Sequence, residues 1–227
     1  VASAQANFAQ ATKDLRKKDF EELLYVGKAY TNATTPDYKK ALEYLNKAKA
    51  ISPMDAQVQL ALGDAYYGDK NQNEAYAAYR NAYAADASLI RAKMQLGVLL
   101  KGAKAYTKAI EAFDEVVKTN ATYGPVYREL AETYYYWANN EPKKYNEYIQ
   151  KALPAYEKYM NLTDYSLTSR MRHADFLILA KDYKALEVEA NEMQKLDKVN
   201  PRIMRYLGYS AYENGNVDTA IKSLSDF

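Results

Sequence analysis

Small residues recur along this chain inside a fixed hydrophobic frame. The markers are Gly27, Gly63, Gly97, Ala131, Ala174 and Gly208, separated by 36, 34, 34, 43 and 34 residues. Val26, Leu62, Leu96, Leu130 and Leu207 stand just before a marker, and Tyr30, Tyr66, Leu100, Tyr134 and Leu177 stand three residues after one. A second small or apolar residue follows at twelve positions: Ala75, Ala109, Leu186 and Ala220. In the first unit its match, Ala41, comes two residues late, and in the fourth Ala152 comes nine late. Apolar residues spaced i, i+3, i+4 and i+7 within each half predict helices. A period near 34 predicts helix-turn-helix units stacked in a row. The insertions fall in the turn between the two helices of a unit, where a stack absorbs them. About thirteen helices in antiparallel pairs are expected, with no strand.

The pattern resembles the tetratricopeptide repeat family over nearly the whole chain. That family places Leu-Gly and an aromatic on the first helix of each unit. Ala, an aromatic four later and Ala three further lie on the second, and Pro often closes the unit. The first unit reads Val26-Gly27, Tyr30, Ala41, Leu45, Ala48 and Pro53; the second Leu62-Gly63, Tyr66, Ala75, Tyr79 and Ala82. The third reads Leu96-Gly97, Leu100, Ala109 and Phe113, and the sixth Leu207-Gly208, Ala220 and Leu224. The fifth departs most, with His173-Ala174 and Leu186, and is expected to be the most distorted. The resemblance implies an all-α, right-handed solenoid: a single array over 1–227 with repeats at 20–55, 56–89, 90–123, 124–166, 167–200 and 201–227. Residues 3–18 then form a half-repeat or cap, in which Ala4, Phe8 and Ala11 imitate a second helix and Phe8 packs near Leu23, Val26 and Tyr30.

Packing gives the pattern its reason. A small residue on the first helix and one on the second, such as Gly63 and Ala75, are expected to face each other so that the backbones approach closely. Gly68, Gly102 and Gly215 fall just after first helices and are expected to supply left-handed C-caps. In the fourth unit, Ala138 to Pro142 should break the helix, with Pro142 in the first turn of the next. A Tyr-lined helix follows from Lys143 and should kink at Pro154. At the far end Ile221 and Leu224 point towards a neighbour the sequence does not provide. A longer array, or association with a second copy through this uncapped end, would cover them.

Composition narrows the function classes. Thirty-one basic and 29 acidic residues leave a formal charge of +2, so no bulk field draws nucleic acid or an acidic membrane. No apolar run approaches a membrane span, so no membrane insertion is expected. The absence of cysteine removes disulfides and thiolate metal sites and suits either redox compartment. The opening Val1-Ala2-Ser3-Ala4-Gln5-Ala6 resembles the end of a cleaved export signal, and an arbitrary trimming point explains it equally. Bacterial periplasm or cell envelope is the compartment favoured on this ground, with cytoplasm the alternative.

Chemistry-bearing motifs are nearly missing. His173 is the single histidine and reads as a satisfied, partly buried side chain. No Cys/His cluster, nucleophile elbow or phosphate loop occurs, so no enzyme, cofactor or metal is expected. Asn32-Ala33-Thr34, Asn120-Ala121-Thr122 and Asn161-Leu162-Thr163 match a glycosylation acceptor at a frequency close to chance.

Tyrosine is the outlier, with 24 residues against one Trp and five Phe. Roughly half fill core positions of the pattern. Others fall on the first-helix face that, by the resemblance, lines a concave groove. The candidate partner-binding residues there are Tyr67, Lys101, Arg128, Glu132, Tyr135, Asp175, Arg205, Tyr209 and Tyr212, with Lys28, Asp64, Arg91 and Arg202 on the same face. Tyr and Arg are enriched at binding hot spots. The mixed signs suggest a partner of alternating charge. The chaperone-tail clamp of some family members needs Lys and Asn where this chain has Leu24, Lys28, Leu60 and Asp64, so that mode is not expected. The function favoured is a non-catalytic scaffold holding a peptide or protein segment in the groove. The alternative is an accessory spacer or self-association domain of a longer multi-repeat protein.

Overall fold

The computed structural model describes residues 20–163 and 165–225. The half-repeat at 3–18, and the packing of Phe8 expected from it, lie outside the described residues. Among the described residues there are twelve α-helices, one 3-10 turn and no strand. They are α1 Phe20–Asn32, α2 Tyr38–Ile51, α3 Ala56–Gly68, α4 Gln72–Ala85, α5 Ile90–Gly102 and α6 Tyr106–Thr119. After these come α7 Gly124–Asn140, the 3-10 turn Pro142–Lys144, α8 Tyr145–Leu162, α9 Leu167–Ala180, α10 Tyr183–Leu196, α11 Pro201–Glu213 and α12 Val217–Ser225. Odd-numbered helices are the first of each pair and even-numbered ones the second. The fold is an all-α solenoid of stacked pairs, and it divides into two compact units at Thr119/Asn120.

The sequence starts and stops these helices by local chemistry. Asp37, Asp55 and Asp182 accept backbone hydrogen bonds from Lys40, Val58 and Ala185 at 2.9–3.1 Å, satisfying first-turn amides that have no partner inside the helix. Four of the six first helices, α3, α5, α9 and α11, close by one repeated device. Lys70, Lys104, Lys181 and Gly215 all adopt left-handed φ, at 63°, 60°, 58° and 85°. Each donates its amide three residues back, to Tyr67, Lys101, Ile178 and Tyr212, and the next amide reaches back to Tyr66, Leu100, Leu177 and Ala211. That is the Schellman closure. Gly68 and Gly102 therefore do not supply the expected left-handed caps: each is the last residue of its helix, and a lysine two positions on carries the strained φ.

Gly68 has a steric reason instead. A Cβ there would lie 2.7 Å from the Tyr38 hydroxyl and closer still to the ring. Gly102 meets nothing within 4 Å.

The marker glycines make room for a large side chain as well as for the small residue expected, since an added Cβ at Gly27 or Gly208 would also lie 3.3 or 3.4 Å from the Ala41 or Ala220 carbonyl oxygen. The atoms nearest to an added Cβ at Gly63 belong to the Tyr79 ring, not to Ala75. Gly27, Gly97 and Gly208 stand likewise against Leu45, Phe113 and Leu224. The fifth pair exchanges the arrangement. Its marker is Ala174, and the residue in register with Tyr79 and Phe113 is Ala190. Both are fully buried in one cluster with Leu177, Leu186, Met193, Ile203 and Tyr206. A methyl added on one helix is matched by a ring removed from the other. This is why the fifth pair, expected to be distorted, keeps two ordinary 14-residue helices.

The irregularity sits in the fourth pair. Helix α7 runs 17 residues, straight through Ala138 to Asn140, and the chain breaks only at Glu141. Pro142 then opens the 3-10 turn rather than α8 itself. Helix α8 continues for 18 residues with Pro154 inside it. Aromatics fasten the longer pair together. Trp137 on α7 stacks on Tyr148 on α8 at 4.4 Å and donates to Glu141 at 2.6 Å, while Tyr156 joins α8 to Phe176 on α9 at 5.1 Å.

Candidate functional site

Three registers on the first helices collect every candidate residue. Counted from the marker, they fall three residues before it (Arg128, Arg205), one after (Glu132, Asp175, Tyr209) and four after (Tyr67, Lys101, Tyr135, Tyr212). Steps of three and four put these on one face of each helix. Tyr67 and Lys101 belong to the first unit and the other seven to the second.

In the first unit the face is stitched from helix to helix. Lys28 on α1 donates to Gln57 on α3 at 3.3 Å. Arg91 on α5 grips Asp64 on α3 with two hydrogen bonds of 2.8 and 2.9 Å, and the Tyr79 hydroxyl donates to the same carboxylate at 2.9 Å. Tyr67, beside this cluster, keeps 44% of its surface exposed. Lys101 is half-buried on α5.

The second unit repeats the device. Arg202 on α11 donates to Asp175 on α9 at 2.7 Å, and Tyr206 donates to Asp175 at 2.6 Å. Burial and the adjacent Asp175 push the Tyr206 phenol up to about 12, so it remains a donor at neutral pH. Asp64 and Asp175 both stand one residue after a marker, and Arg91 and Arg202 both stand six before the next. The charges read as alternating recognition elements are thus largely spent on each other, holding successive first helices together. Arg128 is engaged differently, by its neighbour on the same helix: it donates to Glu129 at 3.2 Å and lies 5.9 Å from the Tyr159 ring of α8.

Tyr135 is not a free groove residue either. It is half-buried between α7 and α9, edge-on to Phe176 at 6.1 Å, with the Arg172 guanidinium 5.2 Å from its ring. What remains open is the α11 end of the face. Arg205, Tyr209 and Tyr212 wall a cavity of about 460 Å³ with Ile178, Tyr206 and Leu224. Tyr212 is 63% exposed. Tyr209 packs edge-on to Tyr183 at 5.6 Å.

Ile178, Tyr206 and Leu224 were absent from the candidate residues. Ile178 carries a readable signal, since it holds the same register as Tyr67, Tyr135 and Tyr212; only the preference for polar groups passed over it.

His173 differs from its expected satisfied state. It lies between α8 and α10, its ring nitrogens each 3.5 Å from a carboxylate, Glu157 on one side and Glu189 on the other. Neither contact has hydrogen-bond geometry. Arg170 completes the cluster with a 3.0 Å bond to Glu189. No group of three or more His, Cys, Asp and Glu among the described residues could hold a metal, and no helix there is long and apolar enough to cross a membrane.

The antiparallel pairs, small markers and Schellman closures define the tetratricopeptide repeat fold. Solved structures of that class are similar to this chain at low identity. PilF of Pseudomonas aeruginosa superposes with a TM-score of 0.67 at 21% identity, over 90% of this chain and 88% of its own. YrrB, described as a TPR protein with an unusual peptide-binding site, gives 0.65 at 16% identity, over 80% of this chain and 89% of its own. MamA gives 0.61 at 17%, over 75% and 88%. No family model and no curated protein matches the sequence.

Proposed function

We propose that this chain is a non-catalytic protein-interaction scaffold that takes a peptide or protein segment against its first-helix face, the surface that lines the groove in the family it resembles. The observation that carries the reading is the Tyr- and Arg-walled cavity at Arg205, Tyr209 and Tyr212. Most other charges on the face are engaged internally, so this open aromatic surface is where a partner gains contact area. Tyr and Trp surfaces of this kind bury large areas at low entropic cost. The solved YrrB structure, with its peptide-binding site, lends the reading support at the level of fold alone.

The test is affinity capture from the source cell with wild type and a Tyr209→Ala/Tyr212→Ala variant, followed by identification of retained proteins. The scaffold reading expects a defined set of proteins to be lost from the variant. Identical sets with both proteins would refute it.

Self-association is the second reading, and it has its own observation. Along α12, Val217, Ile221 and Leu224 are 52%, 60% and 47% exposed, an apolar stripe without cover among the described residues. Light scattering over a concentration series on wild type and Ile221→Asp separates the two. A mass that rises with concentration only in wild type supports association through α12, and an invariant monomer in both removes it.

A further inference from the structure

We infer that the cavity at Arg205 selects an acidic–apolar segment: a large apolar side chain seated in the cavity with a carboxylate beside it. The inference rests on the scaffold reading and adds the chemistry of the partner to it.

The walls set the apolar half of the requirement. Ile178, Leu224 and the rings of Tyr206, Tyr209 and Tyr212 supply carbon surface, and about 460 Å³ accommodates more than one side chain. Cavities of this composition favour aromatic or branched aliphatic groups, which gain most from leaving water.

The polar groups set the other half, and they are all of one kind. No carboxylate lies among the described lining residues. The Tyr206 hydroxyl is already held between Asp175 and Arg202, at 2.6 and 2.7 Å. Arg202 itself is neutralised by Asp175. Arg205, one turn on, has a different fate. Among the described residues its guanidinium makes no ion pair, and it lies 5.8 Å from the centre of the Tyr206 ring. The Tyr212 side chain is exposed beside it. Among the described residues the cavity thus presents a guanidinium with no acid paired to it, next to phenol groups. Two fork-like N–H groups on Arg205 match the two oxygens of a carboxylate.

The comparison inside this face strengthens the argument. Four arginines on the first helices face an acid, Arg91 with Asp64, Arg128 with Glu129, Arg170 with Glu189 and Arg202 with Asp175, and a fifth, Arg172, is enclosed by the Tyr135 and Phe176 rings at 5.2 and 4.9 Å. Arg205 is the arginine at the mouth of a cavity, and it is left to an incoming acid. Charge complementarity therefore selects against a basic segment, which would also have to bring its cation beside Arg205.

The probe is a fluorescently labelled hexapeptide alternating Asp with Phe, with counterparts carrying Lys for Asp or Ala for Phe. Anisotropy and ¹⁵N shift perturbation, with the whole chain, read binding. Wild type is expected to bind the Asp/Phe peptide at least about tenfold more tightly than either counterpart, the worth of one charge-assisted hydrogen bond. Arg205→Glu, an exposed position that leaves the fold intact by circular dichroism, should reverse the preference between Asp and Lys peptides. Arg205→Lys should keep its sign. Equal binding of the Lys and Asp peptides, or an Arg205→Glu protein with unchanged preference, overturns the inference, as does no binding at millimolar peptide. Concentration-dependent mass that Arg205→Glu abolishes would assign the cavity to a second copy and overturn it too. The scaffold reading stands or falls separately, on whether captured proteins are lost from the Tyr209→Ala/Tyr212→Ala variant.

Discussion

Two glycines on one helix should respond oppositely to the same substitution. Gly97 and Gly102 both lie on α5, so Gly→Ala changes the helix by the same methyl and reduces the freedom of the unfolded chain by the same amount. At Gly102 a Cβ meets nothing within 4 Å, and the glycine does not hold a left-handed φ. Alanine there should stabilise the protein by about 0.4–1 kcal/mol. At Gly97 the Cβ would lie 2.8 Å from Cδ1 and Cζ of Phe113 and nearer to Cε1. Carbon atoms rest at about 3.5–4.0 Å, so the ring has to retreat by roughly 1 Å. Phe113 is 0% exposed and has no open side to move to. Overpacking of this kind costs about 1–3 kcal/mol, which outweighs the propensity gain.

Gly97→Ala should therefore destabilise the chain, and Gly102→Ala should stabilise it. The gap between them is the packing term alone, about 1–3 kcal/mol. Urea unfolding followed by circular dichroism measures it, with amide exchange on α5 and α6 as a local readout, because stacked repeats unfold in pieces. Phe113→Leu in the Gly97→Ala background should recover part of the loss, which makes the double-mutant coupling favourable. Two single variants with the same sign, or within about 0.5 kcal/mol of each other, would refute the close approach of α5 and α6 at this point.

The left-handed lysines offer a second measurement. Lys104→Gly and Lys181→Gly should each raise stability by about 0.5 kcal/mol, the relief of left-handed strain less the added freedom of the unfolded chain. Gly215→Ala should lower it by about 1 kcal/mol, and thermal unfolding midpoints report all three. The pH dependence should trace to Glu189. Burial alone would raise its pKa, but the contacts from His173 and Arg170 outweigh burial and hold it below the usual carboxylate value. A depressed folded pKa gives stability that is present above the unfolded value, near 4.3, and lost as pH falls through the folded one. Glu189→Gln should be about 1–3 kcal/mol less stable than wild type at pH 7, with the difference shrinking below pH 4; a difference that stays constant with pH would refute the assignment.

The helices and their pairing were legible because packing writes them at a fixed period. Gly63, Ala75 and Tyr79 recur in register whatever the surface does. Partners within the pattern were less legible: one sequence shows that Gly63 and Ala75 are both small, but not that the space between the helices is filled by the Tyr79 ring. The exchange at Ala174 and Ala190 explains why. Small and large residues trade across the crossing, so the volume is preserved by the pair and not by either position. The left-handed caps were misplaced for a similar reason. Glycine is the residue that tolerates positive φ at least cost, and a reading that follows glycine lands on Gly68 and Gly102. Lysine accepts the strain at 70, 104 and 181 because two backbone hydrogen bonds per turn offset it.

The candidate face was legible in position but not in charge, and the difference governs what it can bind. A row of Asp64, Arg91, Asp175 and Arg202 looks like alternating recognition when each residue is placed on a face by spacing alone. Distance changes the meaning. An aspartate one residue after a marker and an arginine six before the next lie on neighbouring first helices of a unit, close enough for bonds of 2.7–2.9 Å. A partner that competed for those groups would have to break contacts that hold the helices together, and the exchange would gain little. On the proposed scaffold reading, recognition would fall to groups outside that register. Tyr212 and Ile178 stand four residues after their markers and Arg205 three before, where no repeated acid is in place to meet them. On the proposed scaffold reading, specificity would come from the positions that depart from the repeated electrostatic device, and Arg205→Glu should then change what is bound while leaving the fold in place.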